Sequence, residues 1–551
     1  MHPEVDTNLY LEPIKYYNYF LKDQHLDNIN ACLDDFVKQS GFSIDENKET
    51  VNAYNKMLTK SLMFEKNIGK KRAFSTFLLI IGIILCPIIV GIFILIMRAK
   101  KIKPQIAGLE EEKNKIDKEV SRLLNHAKAQ TQPLLDLISD EVAVQLAEKT
   151  APILDFDERC EQERVEQMVE QFGLVEDEFD NHSTLVVQSG DLHGNPFILT
   201  QTYVMDMVPK VYTGTLVIHW TTTVHTKEGT RVVHHTQTLT ASRTEDVPKY
   251  SVQSKLMLAS DAAPKLSFQR APAGLAGKSE KDVERYVKKF EKEDEKKAQK
   301  AIKKGESYTK MANSKFEAYL NSSNRNNEVE YRLLFTPLAQ KNICFMFSQD
   351  KPYGDDITFY KKGQISSLYS SHSANMDYSG GNYNYASYDY EVIKKKFTDY
   401  NMSFFQGLYY DFAFFLSIPM FQQHVPLTFI PTHQPARNVS SYESECLLNK
   451  LEARRFGHPE TTTEVILTTE VLSKGKDVDN INVVGHSFKA VPHTDFIPVL
   501  GGDGMMHAVP VPYYIYEPLT QRTPMTIYKN AVPKGKEGII MKYRNLYLAN
   551  K

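Results

Sequence analysis

The chain predicts an α+β protein: a helical N-terminal head, one transmembrane helix, a helical, coiled-coil stalk and a large β-rich α+β C-terminal module. Three observations carry that prediction. Residues Phe74–Met97 run for 24 positions without a charge. Apolar residues on either side of that run recur at helical spacing. Two later stretches are dense in Val, Thr, Ile and aromatics, which suit a pleated backbone.

The head, 1–72, is a small helical hairpin. Ile29, Cys32, Leu33, Phe36 and Val37 keep the i, i+3, i+4, i+7, i+8 rhythm, and Gly41 stops it. Val51, Tyr54, Leu58 and Leu62 resume it. Residues 1–73 are polar and contain no signal-peptide core. The segment 73–98 is the expected transmembrane helix, because about 20 apolar residues rising about 1.5 Å each cross a bilayer core of about 30 Å. Lys66, Lys70, Lys71 and Arg72 precede it, and Arg98, Lys100, Lys101 and Lys103 follow. That four-to-four tie leaves the positive-inside rule undecided. Two topologies fit: a single span, and a hairpin kinked at Pro87 with both flanks on one side. The single span is the expected one, since about a dozen residues per limb are too few to cross. It places the protein in the cell membrane as a single-pass chain held by lipid through residues 74–97, with the side of the C-terminal module undetermined.

In the stalk, 99–176, Ile106, Leu109, Ile116, Val120 and Leu123 fall on a and d heptad positions, with Lys113 breaking one. This seam fits a homo-oligomer through the stalk, or a helix packing on its own chain. Residues 177–277 form a β-rich lobe, with Lys227-Glu228-Gly229 as a three-residue hairpin loop. A charged helix follows at 278–312; its Lys and Glu residues are interleaved, as on a solvated face laced by i, i+4 pairs. Residues 313–425 are a mixed α+β lobe with a Tyr-rich loop near 369–391, of a composition that grips partners or simply covers a surface. The aromatic run at 404–419 is a core element. A second β-rich lobe closes the chain at 426–551.

A length of 551 residues allows about two to four folded units. The net charge of −2 predicts no nucleic-acid partner. Five scattered cysteines, with no C-x-x-C, support neither a disulfide scaffold nor a zinc knuckle.

Candidate chemistry is sparse. With the loop at 227–229, Thr226 pairs with Thr230, and His219, His225 and His235 share one strand face. Two histidines and a third ligand can hold zinc. Arg231 stands beside them and those strands carry no Asp or Glu, so the same face also fits a polar, solvated sheet. Ser487 in Val484-Gly485-His486-Ser487-Phe488-Lys489 resembles a nucleophile elbow, but Lys489 stands where a small residue is needed. Gly501-Gly502-Asp503-Gly504 lacks the Gly-Lys-Ser/Thr of a phosphate loop. Asp477-Val478-Asp479-Asn480 starts like a calcium loop, which Ile481 and Asn482 break. No cofactor and no catalytic residue are expected.

The phrases SGDLHGNPF at 189–197, QTLTAS at 237–242, LLFTPLAQ at 333–340 and GGDGMMHAVPVP at 501–512 resemble uncharacterised single-span membrane proteins of low-GC bacteria. The resemblance implies only a bacterial single-span protein with a large C-terminal part, and carries over no function. The residues favour a membrane-anchored, non-enzymatic binding or scaffold protein with an unidentified protein partner. The alternative is a membrane-tethered hydrolase or metal-dependent enzyme using the hairpin histidines or Ser487. A third reading is lipid sensing by the basic residues around 74–97 and by the charged helix.

Overall fold

A serine starts the longest helix. Ser43 accepts the Glu46 amide at 3.3 Å, an N-cap that satisfies one orphan donor, and the helix then runs from Ile44 to Ile84. The computed structural model describes residues 7–85, 89–175, 180–226, 229–305, 308, 310–350, 352–423, 438–530, 541–544 and 546–550. The chain forms two compact units. One comprises Asn18–Ala151 with Ser379–Gln406; the other comprises Met1–Tyr17, Pro152–Tyr378 and Gly407–Lys551.

The first unit is helical. After Ile44–Ile84 the chain returns through Ile89–Met97, a π-helical turn Arg98–Ile102 and the helix Lys103–Leu135. The limbs are antiparallel: Arg72 pairs with Glu110 at 2.7 Å, Lys71 donates to Gln105 at 3.0 Å, and Asn47 donates to Gln130 at 3.3 Å. The heptad residues Ile106 and Leu123 are buried, on a helix that packs along Ile44–Ile84 of its own chain. The core of the unit joins Ile29 and Leu33 to Leu134, Val142 and Leu146 and to Ile393 and Phe397.

The transmembrane helix expected over 73–98 does not form, and single-pass placement in the cell membrane falls with it. No helix among the described residues is long and apolar enough to cross a membrane. The uncharged run is long enough in residues, but it is divided between the end of one limb and the start of the next. Leu85 ends the first limb with its amide on the Ile81 carbonyl, and the second apolar helix, Ile89–Met97, has only nine residues. Pro87 lies outside the described residues.

The Tyr-rich stretch packs several of its rings into the protein. Tyr385 is fully buried in the helical core, and Tyr378, in the other unit, donates to Ser373 at 2.9 Å. The aromatic run is core as well: Phe405, Phe412, Phe414 and Phe415 are fully buried.

The second unit holds two sheets. The strands are β1 (Leu154–Phe156), β2 (His182–Leu192), β3 (Asn195–Thr226), β4 (Gly229–Ala259), β5 (Ser267–Arg270), β6 (Ser322–Ser323), β7 (Ile357–Lys362), β8 (Ile365–Ser370), β9 (Ile466–Lys474), β10 (Val478–Leu500), β11 (Met506–Tyr528), β12 (Met541–Tyr543) and β13 (Leu546–Asn550). One sheet has the order β1-β2-β3-β4-β8-β7-β5-β6, the other β12-β13-β11-β10-β9. Val187, Ile198 and Met257 of the first sheet share a core with Leu467, Val483 and Ile527 of the second and with Val165 and Cys446 of two covering helices.

Two β-ribbons extend from these sheets and stack on each other. Ile218, Leu239 and Ala241 of β3/β4 bury against Val509 and Val511 of β11. Gly214 permits the close approach, because a Cβ there would overlap the Pro510 carbonyl. The other face of β3/β4 is exposed. At every second residue it reads V-T-T-V-H-T-T-H from Val211 to His225, paired with T-S-T-T-T-H-V-T from Thr244 back to Thr230.

Candidate functional site

The strongest departure from an ordinary soluble surface is the end of the helical hairpin. Along most of its length the hairpin obeys the usual rule. Val51, Tyr54, Ile68 and Ile106 face the seam, while lysines and glutamates face out. From Phe74 onward the pattern inverts. The buried positions are Ser75, Leu78 and Gly82 on the first limb and Gly91 on the second. Gly82 lies so near the facing limb that an added Cβ would stand 2.7 Å from the Leu95 side chain. Small residues let the backbones approach, as between helices in an apolar solvent. The large side chains point away: Phe93 is 71% exposed, Ile84 68%, Ile83 60% and Phe77 55%. Soluble proteins rarely leave a contiguous apolar surface of this kind uncovered.

A basic collar sits where the apolar limbs begin. Lys66, Lys70, Arg72, Lys100, Lys101 and Lys103 are exposed, and no Asp or Glu occurs between Glu65 and Glu110. Arg98 is tied into the hairpin: its Nε donates to the Ser75 carbonyl at 2.8 Å and contacts the Ser75 hydroxyl at 3.0 Å. This fixes the level at which charge gives way to hydrocarbon. The first apolar limb, 74–84, is about 16 Å long at about 1.5 Å per residue. That is close to half of a bilayer core of about 30 Å.

The histidines weighed for zinc do not converge. The ribbon register is one residue from the expected one: Thr226 pairs with Gly229, and Lys227 and Glu228 of the turn lie outside the described residues. A one-residue slip moves a strand's side chains to the other face. His219 and His225 therefore stay on the outward face, each within 3.0 Å of a cross-strand threonine, Thr236 and Thr230. His235 is turned to the opposite face, stacked on Trp220 with centroids 5.1 Å apart and 2.7 Å from the Thr222 hydroxyl. Among the described residues no group of three or more His, Cys, Asp or Glu side chains is placed to hold a metal ion.

Ser487 is buried in the middle of β10, paired across to Leu519, with no strand-to-helix turn beside it. The adjacent His486 bonds Thr468 at 3.0 Å. Asp479 makes a buried ion pair with Lys529 at 3.1 Å. Gly501-Gly502-Asp503-Gly504 forms the turn between β10 and β11, where the Gly502 amide donates to Gln237 at 2.7 Å.

Buried polar clusters hold the β unit together. Arg164 bridges Asp157 and Asp191, each at 2.8 Å, and Arg270 pairs with Asp355. His372 lies 2.7 Å from Asp356 and 3.2 Å from Asp411. Burial opposes its charge, but the two carboxylates outweigh that and push its pKa up to about 10, so the ring stays an imidazolium. Ser373 donates to Asp411, but serine and histidine are both enclosed by the fold. A cleft of about 320 Å³ is lined by Lys15, Lys315, Lys341, Asn342, Cys344 and Phe345. Glu12 already pairs with Lys15 at 2.9 Å and with Lys341, and burial pushes the Cys344 thiol up to about 11, which leaves it a poor nucleophile.

No protein-family model, curated protein or solved structure matches the chain. The inverted hairpin end was missed from sequence, although its signal was present. Ser75 and Gly82, at i and i+7 with Leu78 between them at i+3, put two small residues on one helix face inside an otherwise greasy run.

Proposed function

We propose that this protein is a non-enzymatic scaffold that docks on a lipid surface through its helical hairpin. The tip enters one leaflet and returns without crossing, while the basic collar meets anionic headgroups. The observation that carries this reading is the inversion at Phe74, where Ser75, Gly82 and Gly91 take the seam with Leu78, while Phe77, Ile83, Ile84 and Phe93 take the outside. An exposed phenylalanine or isoleucine moved from water into hydrocarbon gains about 1.5–3 kcal/mol. Each collar lysine near an anionic surface adds about 1 kcal/mol. The non-enzymatic part is supported by the dispersal of the ribbon histidines and the burial of Ser487 and Ser373.

Flotation of the full chain with sealed vesicles tests the proposal. The protein floats with vesicles containing anionic phosphatidylglycerol and less with neutral ones. Phe77→Asp with Phe93→Asp abolishes flotation on both. Lys100→Gln with Lys101→Gln weakens binding to the anionic vesicles by roughly 30-fold, the equivalent of about 2 kcal/mol, and spares the neutral ones. Wild-type protein left in the lipid-free fraction with both compositions ends the proposal.

A further inference from the structure

We propose that the outward face of the β3/β4 ribbon is a self-association surface, on which a second copy of this chain seats the same face. The eight rungs from Val211/Thr244 to His225/Thr230 are exposed and contain no Lys, Arg, Asp or Glu. A solvated sheet face ordinarily alternates with charge; this one offers threonine hydroxyls and methyls with valines and three histidines, His219, His225 and His234, between them.

Three features select a second copy as the occupant. The first is charge. In a symmetric pairing each residue meets the same surface on its partner, so any charge on a self-pairing face tends to meet its like. Its absence here removes that repulsion, and it also leaves nothing to recognise a nucleic acid or an anionic lipid. The second is chemistry. A hydroxyl both donates and accepts, so a threonine face is complementary to itself, and cross-strand threonines are already a stabilising pair. The third is area. Fourteen residue steps at about 3.4 Å and two strands about 4.8 Å apart give a face of about 500 Å². Two such faces bury roughly 1,000 Å², the lower bound for a specific interface.

The ribbon is also held for the purpose. Its other face is occupied by β10/β11 through Ile218, Leu239 and Val511, so only one face is open. The stacked ribbon carries Pro510, Pro512, Pro518 and Pro524 along β11, and proline blunts a strand edge against pairing. The β3/β4 ribbon has no proline between Pro209 and Pro248.

Sedimentation velocity tests this on the full chain carrying Phe77→Asp and Phe93→Asp, which removes association through the helical tip. A concentration-dependent dimer in the micromolar range is expected. Val217→Lys with Thr238→Lys, facing each other on one rung, weakens it at least 100-fold. Thr215→Glu with Thr240→Glu on the neighbouring rung does the same and serves if the lysine variant misfolds, as judged by Trp220 emission. Val224→Lys, on the opposite face, leaves the dimer intact. A monomer at every concentration, or a dimer indifferent to both rung variants, overturns the proposal. So does a monomer that pellets with insoluble neutral polysaccharide, which reassigns the face to a glycan.

Discussion

Two of the chain's long hairpins, one helical (Ile44 to Leu135) and one β (Asn195 to Ala259), treat apolar surface in opposite ways. The β-ribbon covers its apolar side within the chain, burying Ile218 and Leu239 under Val509 and Val511. What it exposes on the outward rungs from Val211 to His225 is threonine, valine and three histidines, with no Lys, Arg, Asp or Glu. The helical hairpin fills its outer seam with Ser75, Gly82 and Gly91 and exposes Phe77, Ile83 and Phe93, with a ring of lysines behind them. The same hydrophobic effect is satisfied internally in one case and left open in the other. A segment that leaves it open needs an external solvent or partner. The exposed lysines beside it are the reason an anionic lipid surface is proposed as that partner.

Glycine substitutions break the two hairpins differently. Gly214→Val drives a side chain into the Pro510 carbonyl, and backbone cannot step aside. It is expected to part the stacked ribbons at a cost of about 3 kcal/mol, read as a lower urea midpoint of Trp220 fluorescence. Gly82→Ala crowds Cγ and Cδ2 of the Leu95 side chain, which can turn aside, and meets backbone only at ordinary contact distance, the Gly91 carbonyl at 3.5 Å. About 1 kcal/mol is expected there, seen as a small loss of helical stability by circular dichroism with vesicle binding retained.

The smallest effect is in pH. Burial pushes the Glu445 carboxyl up to about 7, so the fold favours its protonated form. The stability it contributes to the β unit is full below 4.5 and is lost as pH rises toward 7. Burial pushes His25, between Thr150 and the Asn401 carbonyl, down to about 4. The fold favours the neutral ring, so the helical unit is stable above 6.5 and loses that stability as pH falls toward 4. Between pH 4.5 and 6.5 the Trp220 urea midpoint is expected to fall with rising pH while the helical midpoint rises. Glu445→Gln flattens the first trend and leaves the second.

Much of this architecture was legible in the sequence. Helical rhythm at Ile29 to Val37, strand texture at 183–270 and the core character of 404–419 follow from local periodicity and composition. What local pattern did not carry was pairing. The run at 74–97 satisfies the length rule for a span, and only its small-residue face betrays that it folds back on itself. The heptad at Ile106 to Leu123 announces a helical seam without saying that the other side is Ile44–Ile84. A three-residue loop at 227–229 pairs Thr226 with Thr230; the observed pairing of Thr226 with Gly229 is one residue away and moves His235 to the face opposite His219. Tyr385 sits in a Ser/Gly/Asn background that resembles a loop, yet its ring fills the core beside Phe397, 5.1 Å away.

The central claim is that both flanks of the apolar tip stay on one side of a lipid surface. Sealed anionic vesicles carrying the full chain, treated outside with a lipid-impermeant amine reagent and mapped by mass spectrometry, test it directly. Lys66 and Lys70 on one limb and Lys100 and Lys101 on the other should be modified to the same extent. Protection of one limb with modification of the other would contradict the hairpin, as would a protein that never joins the vesicles.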